Sequence, residues 1–156
     1  ILVMPETSTQ IQTVMGLDFG VAKMGIALGN TLTQTATPLM QFPMDNGKPN
    51  WQALIDLICQ WQVATIVIGL PLNMDGSASE LGNRAKKFAR RLNHQLEIAH
   101  LTRPIVLADE RLTSREAKNL AWEYGLIKDE KTPIDSIASA IMLGSWLRSG
   151  AGVTLP

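Results

Sequence analysis

Apolar positions along this 156-residue chain come in two patterns, short strand-like runs and longer stripes at helical spacing, and their order predicts the architecture. Residues 14–18 form a short apolar run ending at Asp18. The turn signal Phe19-Gly20 follows, then a second strand-like run over 24–28, so the chain opens with a hairpin carrying an aspartate on its first strand. A third strand is predicted over 35–42, before a loop rich in turn formers over 43–49. The period then changes. Trp51, Leu54, Ile55, Leu57, Ile58 and Trp61 stand at near-helical spacing, and residues 65–70 are a continuous β-branched run of the kind buried on both faces of a sheet.

A long helix is expected from Ser77 or Ser79 to about Ile98, with Ser79 the candidate N-cap and Leu81, Ala85, Phe88, Ala89, Leu92 and Leu96 on its inner side. Another buried strand covers 105–108 and runs into Asp109-Glu110-Arg111. A helix over 113–124 closed by Gly125, a charged loop over 128–133 and a last helix over 134–147 complete the pattern. Three antiparallel strands followed by alternating helix and strand imply an α/β fold with a mixed five-stranded sheet, two of its strands parallel. One domain over 14–148 is expected, with a polar N-terminal arm over 1–13 and a C-terminal tail over 149–156. That length is ordinary for a single core.

Composition narrows the function classes. With 46% hydrophobic and 18% charged residues, the chain has the make-up of a folded globular protein. Its longest apolar runs are far short of the roughly 20 residues needed to cross a bilayer, and the opening Ile-Leu-Val-Met lacks a basic leader, so no membrane segment is expected and a cytoplasmic location is the default. The single cysteine, Cys59, rules out an internal disulfide framework and a cysteine-based zinc site; its place in an apolar helical pattern predicts a buried small hydrophobe. The fourteen basic and fourteen acidic side chains cancel, so net charge alone does not point to nucleic acid. The distribution does, because Arg84, Lys86, Lys87, Arg90 and Arg91 fall within eight residues.

Three acids occupy unusual places: Asp18 and Glu110 end apolar strands, and Asp135 lies in the first turn of an apolar helix. A carboxylate near a core is costly unless paired, hydrogen-bonded or bound to a cation, and hard oxygen donors are what Mg²⁺ and Mn²⁺ prefer. Three converging carboxylates would make such a site, and two metals about 4 Å apart there could drive an in-line phosphoryl displacement without His or Cys. Each acid also has a structural alternative. Asp18 could simply end a strand, Glu110 could pair with Arg111, and Asp135 suits the dipole of a helix N-terminus. Adjacent strand residues face opposite ways, so only one of Asp109 and Glu110 can readily enter such a site. His94 and His100, near the end of the long helix, read as solvated.

Five blocks carry a resemblance to a known family: Leu17-Asp18-Phe19-Gly20; Lys23-Met24-Gly25-Ile26-Ala27; Val67-Ile68-Gly69-Leu70-Pro71-Leu72-Asn73-Met74-Asp75-Gly76; Asp109-Glu110-Arg111-Leu112-Thr113-Ser114; and Asp135-Ser136-Ile137-Ala138-Ser139-Ala140. Together and in this order they resemble the YqgF family, also called RuvX. The resemblance implies a ribonuclease H-like fold related to the Holliday-junction resolvase RuvC, and a nuclease that matures the 5′ end of small-subunit ribosomal RNA. Carried over block by block, it implies Asp18, Glu110 and Asp135 as the catalytic, metal-holding acids. Lys23 stands where the family often has Arg, which keeps the charge, and the segment 128–133 is more acidic than the family's basic loop.

The remaining candidates are substrate contacts. Asn73, Asp75 and Gly76 form a turn that either presents backbone amides to a phosphate or simply joins strand to helix. Arg84, Lys87 and Arg91 share a helical face that suits a nucleic-acid backbone, or is a solvated face. Arg111 suits a scissile phosphate, or pairs with Asp109. The four tryptophans lie in helical patterns and read as core or interface. The expected partner is nucleic acid, a ribosomal RNA precursor or branched DNA, with a ribosomal subunit as a possible carrier. A non-catalytic RNA-binding or transcription-associated role on a nuclease scaffold is the competing class.

Overall fold

The computed structural model describes residues 11–71, 73, 75–110, 134–150 and 152–155, with the side chains of residues 110, 134, 135 and 153 outside the description. The sheet grows from the predicted hairpin. β1 (Thr13–Asp18) pairs antiparallel with β2 (Lys23–Asn30), and β2 pairs antiparallel with β3 (Thr35–Pro43). Gly20 makes the first turn possible, since a Cβ there would stand 2.1 Å from the Lys23 carbonyl oxygen. β4 (Val63–Pro71) lies parallel on the other side of β1, and β5 (Ile105–Glu110) lies parallel beside β4. The five expected strands and their directions are therefore present.

Both ends depart from the expected boundaries. Thr13, assigned to the arm, pairs with Asn30, and the Gln12 amide donates to Thr31 Oγ1 at 2.9 Å. Within the expected tail, β6 (Val153–Thr154) pairs antiparallel with β5, and the Leu155 amide donates to the Ile105 carbonyl at 2.7 Å. The sheet thus has six strands in the order β3-β2-β1-β4-β5-β6. A bare β5 edge would leave N–H and C=O groups unpaired, and even a two-residue strand satisfies part of that row.

Two helices cover one face. α1 (Trp51–Gln60) is capped by Asn50, whose side chain accepts from the Ala53 amide at 3.0 Å, and it buries Leu54, Ile55 and Ile58. Cys59 comes one step of about 100° after Ile58 and turns out of that stripe; it is exposed, not buried as its pattern suggested. α2 (Glu80–Ile98) starts at the expected cap: Ser79 Oγ accepts from the Gly82 amide at 2.9 Å and donates to the Pro71 carbonyl. Leu81, expected inside, is 38% exposed. The last residue of β4, Pro71, lies against Gly82, so the first turn of α2 has already passed the end of the sheet.

The third described helix, α3 (Ile134–Ser149), covers the opposite face. Strand alternation separates the two cores. Met15, Leu17, Met24, Ile26, Ile66 and Ile68 face α1 and α2, whereas Val14, Ala27, Val67, Val106 and Ala108 face α3. Met15, Met24 and Met142 are buried packing residues as expected. The predicted helix over 113–124 and loop over 128–133 lie outside the described residues.

Candidate active site

Parallel strands end at the same edge of a sheet, and here β1, β4 and β5 bring two of the singled-out acids there. Asp18 is the last residue of β1. It is level with Gly25 on β2 and Gly69 on β4, so both neighbouring strands place a residue without a side chain beside it. Gly69 is in turn level with Ala108 on β5, and Glu110 ends β5 two residues further on. Glu110 therefore has the register parity of Asp18, and Asp109 has the opposite one. Asp18 itself is half-buried.

The third acid reaches this edge through α3. Gly16 lies two residues before Asp18 on the same face, and a Cβ built on it would stand 3.0 Å from Leu143 Cβ and 3.2 Å from Ser139 Oγ. Gly29, further down the face and level with Val14, meets Leu147 and Leu143 in the same way. The helix therefore climbs from Leu147 through Leu143 to Ser139 while β1 runs from Val14 through Gly16 to Asp18. Asp135 is one turn beyond Ser139, about 6 Å along the helix, and Asp18 is about 6.6 Å beyond Gly16 along the strand. The backbone positions of Asp18, Glu110 and Asp135 thus gather at one end of the sheet. Of the three, only the Asp18 side chain is among those described. Beneath them Ser136 and Ser139 are buried, and Ser139 Oγ has no hydrogen-bond partner among the described residues.

The donor chemistry fits a hydrated Mg²⁺ or Mn²⁺. All three candidates offer hard carboxylate oxygens, and the residues level with Asp18 on both neighbouring strands are glycines, which carry no side chain to compete for a cation.

The other candidates separate. Lys23 begins β2, exposed, two residues before Gly25 at the same edge. Asn73 and Asp75 commit polar atoms to their own loop: Asn73 Nδ2 donates to Ser77 Oγ at 3.0 Å and the Ala78 carbonyl at 3.2 Å, and Asp75 Oδ1 accepts from the Ser77 amide at 2.9 Å. Gly76, with φ of 86°, adopts a turn conformation that L side chains rarely enter, and its amide donates to the Asn73 carbonyl at 2.8 Å. Arg111 lies outside the described residues.

Arg84, Lys87 and Arg91 line a cleft of about 270 Å³ with Phe19, the residue after Asp18. Phe19 packs on Phe88 with ring centroids 5.2 Å apart, which ties the cleft to the end of β1. Lys87 and Arg91 also line a neighbouring cleft of about 660 Å³ with Lys48, Trp51, Arg90 and His94. Lys86 lines neither. Lys48 and Trp51 were not expected here. A basic residue in a turn-rich loop and a tryptophan at a helix start carry no local signal, and only folding sets them against α2.

Comparison with known proteins accords with this geometry. The family described as RuvX, Holliday junction resolvase, matches residues 12–149. A protein of Psychrobacter sp. (strain PRwf-1) named "Putative pre-16S rRNA nuclease" is 54% identical over 138 residues, 87% of this chain and 78% of that protein. A relative of the same name from Acinetobacter baylyi is 44% identical over 153 residues, 96% of this chain and 99% of that protein. Among solved structures, Thermus thermophilus RuvC in complex with a Holliday junction substrate superposes with a TM-score of 0.59 at 15% identity, covering 92% of this chain and 99% of that one. The fowlpox virus Holliday junction resolvase does so with a TM-score of 0.56 at 12% identity, covering 89% and 99%. At such identities the likeness speaks for the fold, which is ribonuclease H-like as the five blocks implied.

Proposed function

The chain belongs to the RuvX family of Holliday junction resolvases, and we propose that it is a divalent-metal-dependent nuclease that processes the 5′ end of pre-16S rRNA in ribosome biogenesis. What supports this reading is the strand register, which puts the backbone positions of Asp18 and Glu110 at the same end of the sheet as the start of α3, with Asp18 between two glycines. The names of the relatives support the substrate. The ribosomal precursor subunit is the partner that presents the RNA, and the cytoplasm is the place of action. Among the described residues no helix is long and apolar enough to cross a membrane.

In this mechanism Asp18, Glu110 and Asp135 would hold Mg²⁺ or Mn²⁺ at the strand ends, where such a cation would supply activation of a water and neutralisation of phosphate charge. Lys23, at the same edge, takes a phosphate oxygen of the flanking strand, and Arg111 follows Glu110 directly to serve the scissile group. The self-bonded turn of Asn73, Asp75 and Gly76 shapes the rim next to β4: its side chains and its Asn73 and Gly76 amides are bonded within the loop and hold the backbone against which the substrate lies. Arg84, Lys87 and Arg91 hold the strand that leaves along α2.

Replacing Asp18 by Asn removes one ligand charge at constant shape. Cleavage of a precursor 5′ segment by Asp18→Asn should fall by about a hundredfold or more in Mg²⁺ or Mn²⁺, with an unchanged thermal unfolding curve. A variant that folds and cuts at the parental rate would overturn the carboxylate mechanism. The family description favours one second reading, action on branched DNA. Four-way DNA junctions and precursor RNA offered side by side to the parent chain separate the two.

A further inference from the structure

α2 gathers positive charge in one cleft. Lys87, Arg90, Arg91 and His94 face one cleft, and Lys48 enters it from the loop between β3 and α1. No acid lines the cleft, and among the described residues Lys48, Lys87, Arg90 and Arg91 make no ion pair. Like charges gathered from two elements repel, and an anion relieves that cost. A merely solvated helix face would not need a matching lysine from another element.

Trp51 adds a second, independent observation. It begins α1, is half-buried, and stacks on Phe88 with ring centroids 5.6 Å apart and an interplanar angle of 14°. The indole is thus held rigid by one contact while lining the basic cleft. A fixed aromatic surface ringed by cations matches the two parts of a nucleotide, a π-faced base and a phosphate.

We propose that this cleft is a subsite for an unpaired strand of nucleic acid, with Trp51 stacking one base and Lys48, Lys87, Arg90 and Arg91 holding the adjoining phosphates. The assignment rests on the nuclease reading only for direction: through Lys87 and Arg91 the cleft adjoins the one lined by Phe19, which follows Asp18 in the chain at the end of β1. Arg84 fixes that junction by donating to the Asn46 carbonyl at 2.9 Å. From Arg84 to His94 the helix rises about 15 Å, enough to follow a few nucleotides. A duplex fits less well, because its bases are stacked on one another and only an unpaired base can lie on the indole. The site therefore takes a single-stranded flank that emerges from the cleavage point.

The test is binding by the full chain, without divalent cation, of labelled oligouridylate and oligothymidylate of about a dozen nucleotides and of a duplex of equal length. Fluorescence anisotropy across a range of salt concentrations gives the affinities. Single strands should bind more tightly than duplex. Trp51→Leu should weaken single-strand binding about tenfold or more and leave duplex binding unchanged, while Trp51→Tyr retains most of the affinity. The double variant Lys87→Gln, Arg91→Gln should weaken binding and reduce the salt slope by about 1.4, or 0.7 for each lost phosphate contact. Oligouridylate and oligothymidylate differ in the 2′-hydroxyl and in the C5 methyl, and a preference for either supports the subsite. Unchanged single-strand affinity in both Trp51→Leu and the double variant overturns it, as does a preference for duplex that Trp51→Leu does not alter. Unfolding curves identify any variant that fails to fold, and Trp51→Tyr keeps the stacking. Because no metal is present, the result is independent of the cleavage test.

Discussion

On the sheet face under α1 and α2, the strands present Met15, Leu17, Met24, Ile26, Ile66 and Ile68, all fully buried against Leu54, Ile58, Leu92 and Leu96. On the face under α3, these strands and β5 present Val14, Gly16, Ala27, Gly29, Val67 and Ala108. The first face fills space with large side chains and supplies most of the apolar burial. The second face is stripped of bulk, so the backbone of α3 comes close and its height against β1 is fixed by contacts at Gly16 and Gly29. That height sets where Asp135 stands relative to Asp18. The stabilising face and the positioning face are thus different surfaces of one sheet, and mutations should separate them.

The largest effect on stability should come from truncation on the large-residue face. Leu54→Ala removes a fully buried side chain and leaves a cavity, and should cost about 2 to 5 kcal/mol in urea unfolding. A loss below about 1 kcal/mol would mean that this face is not the main source of stability. On the other face enlargement, not truncation, should do harm. Gly16→Ala places a methyl 3.0 Å from Leu143 Cβ, lifts α3 by a few tenths of an ångström and should lower cleavage about tenfold or more, with a stability loss of about 1 kcal/mol. If both rate and stability are unchanged, the helix height is not what sets the site. The smallest effect belongs to Ser139→Ala. Its buried hydroxyl lacks a partner among the described residues, so alanine should leave the unfolding free energy in urea equal or slightly higher, by about 1 kcal/mol at most. A clear drop would show that the hydroxyl is bonded.

Much of this was legible along the chain. The apolar runs marked β1 to β5, Ser79 marked the start of α2, and each of the three acids broke an apolar pattern at the end of an element. What escaped was of another kind. β6 has only two paired residues and exists because β5 needs an edge partner. Cys59 and Leu81 follow the helical period closely enough to look buried, but one is a step off the inward stripe and the other lies past the end of the sheet. Lys48 and Trp51 gain their meaning from α2, more than thirty residues away in sequence.

The chain by itself determined the type and order of the elements and the chemistry at their ends, because periodicity, caps and turn residues act over a few neighbouring positions. Tertiary structure alone decided that β4 lies between β1 and β5, that α3 and α2 take opposite faces, and that Asp18 is flanked by Gly25 and Gly69. Those relations depend on strand order and register between distant segments, and they are fixed by the packing of whole faces, which no local pattern encodes.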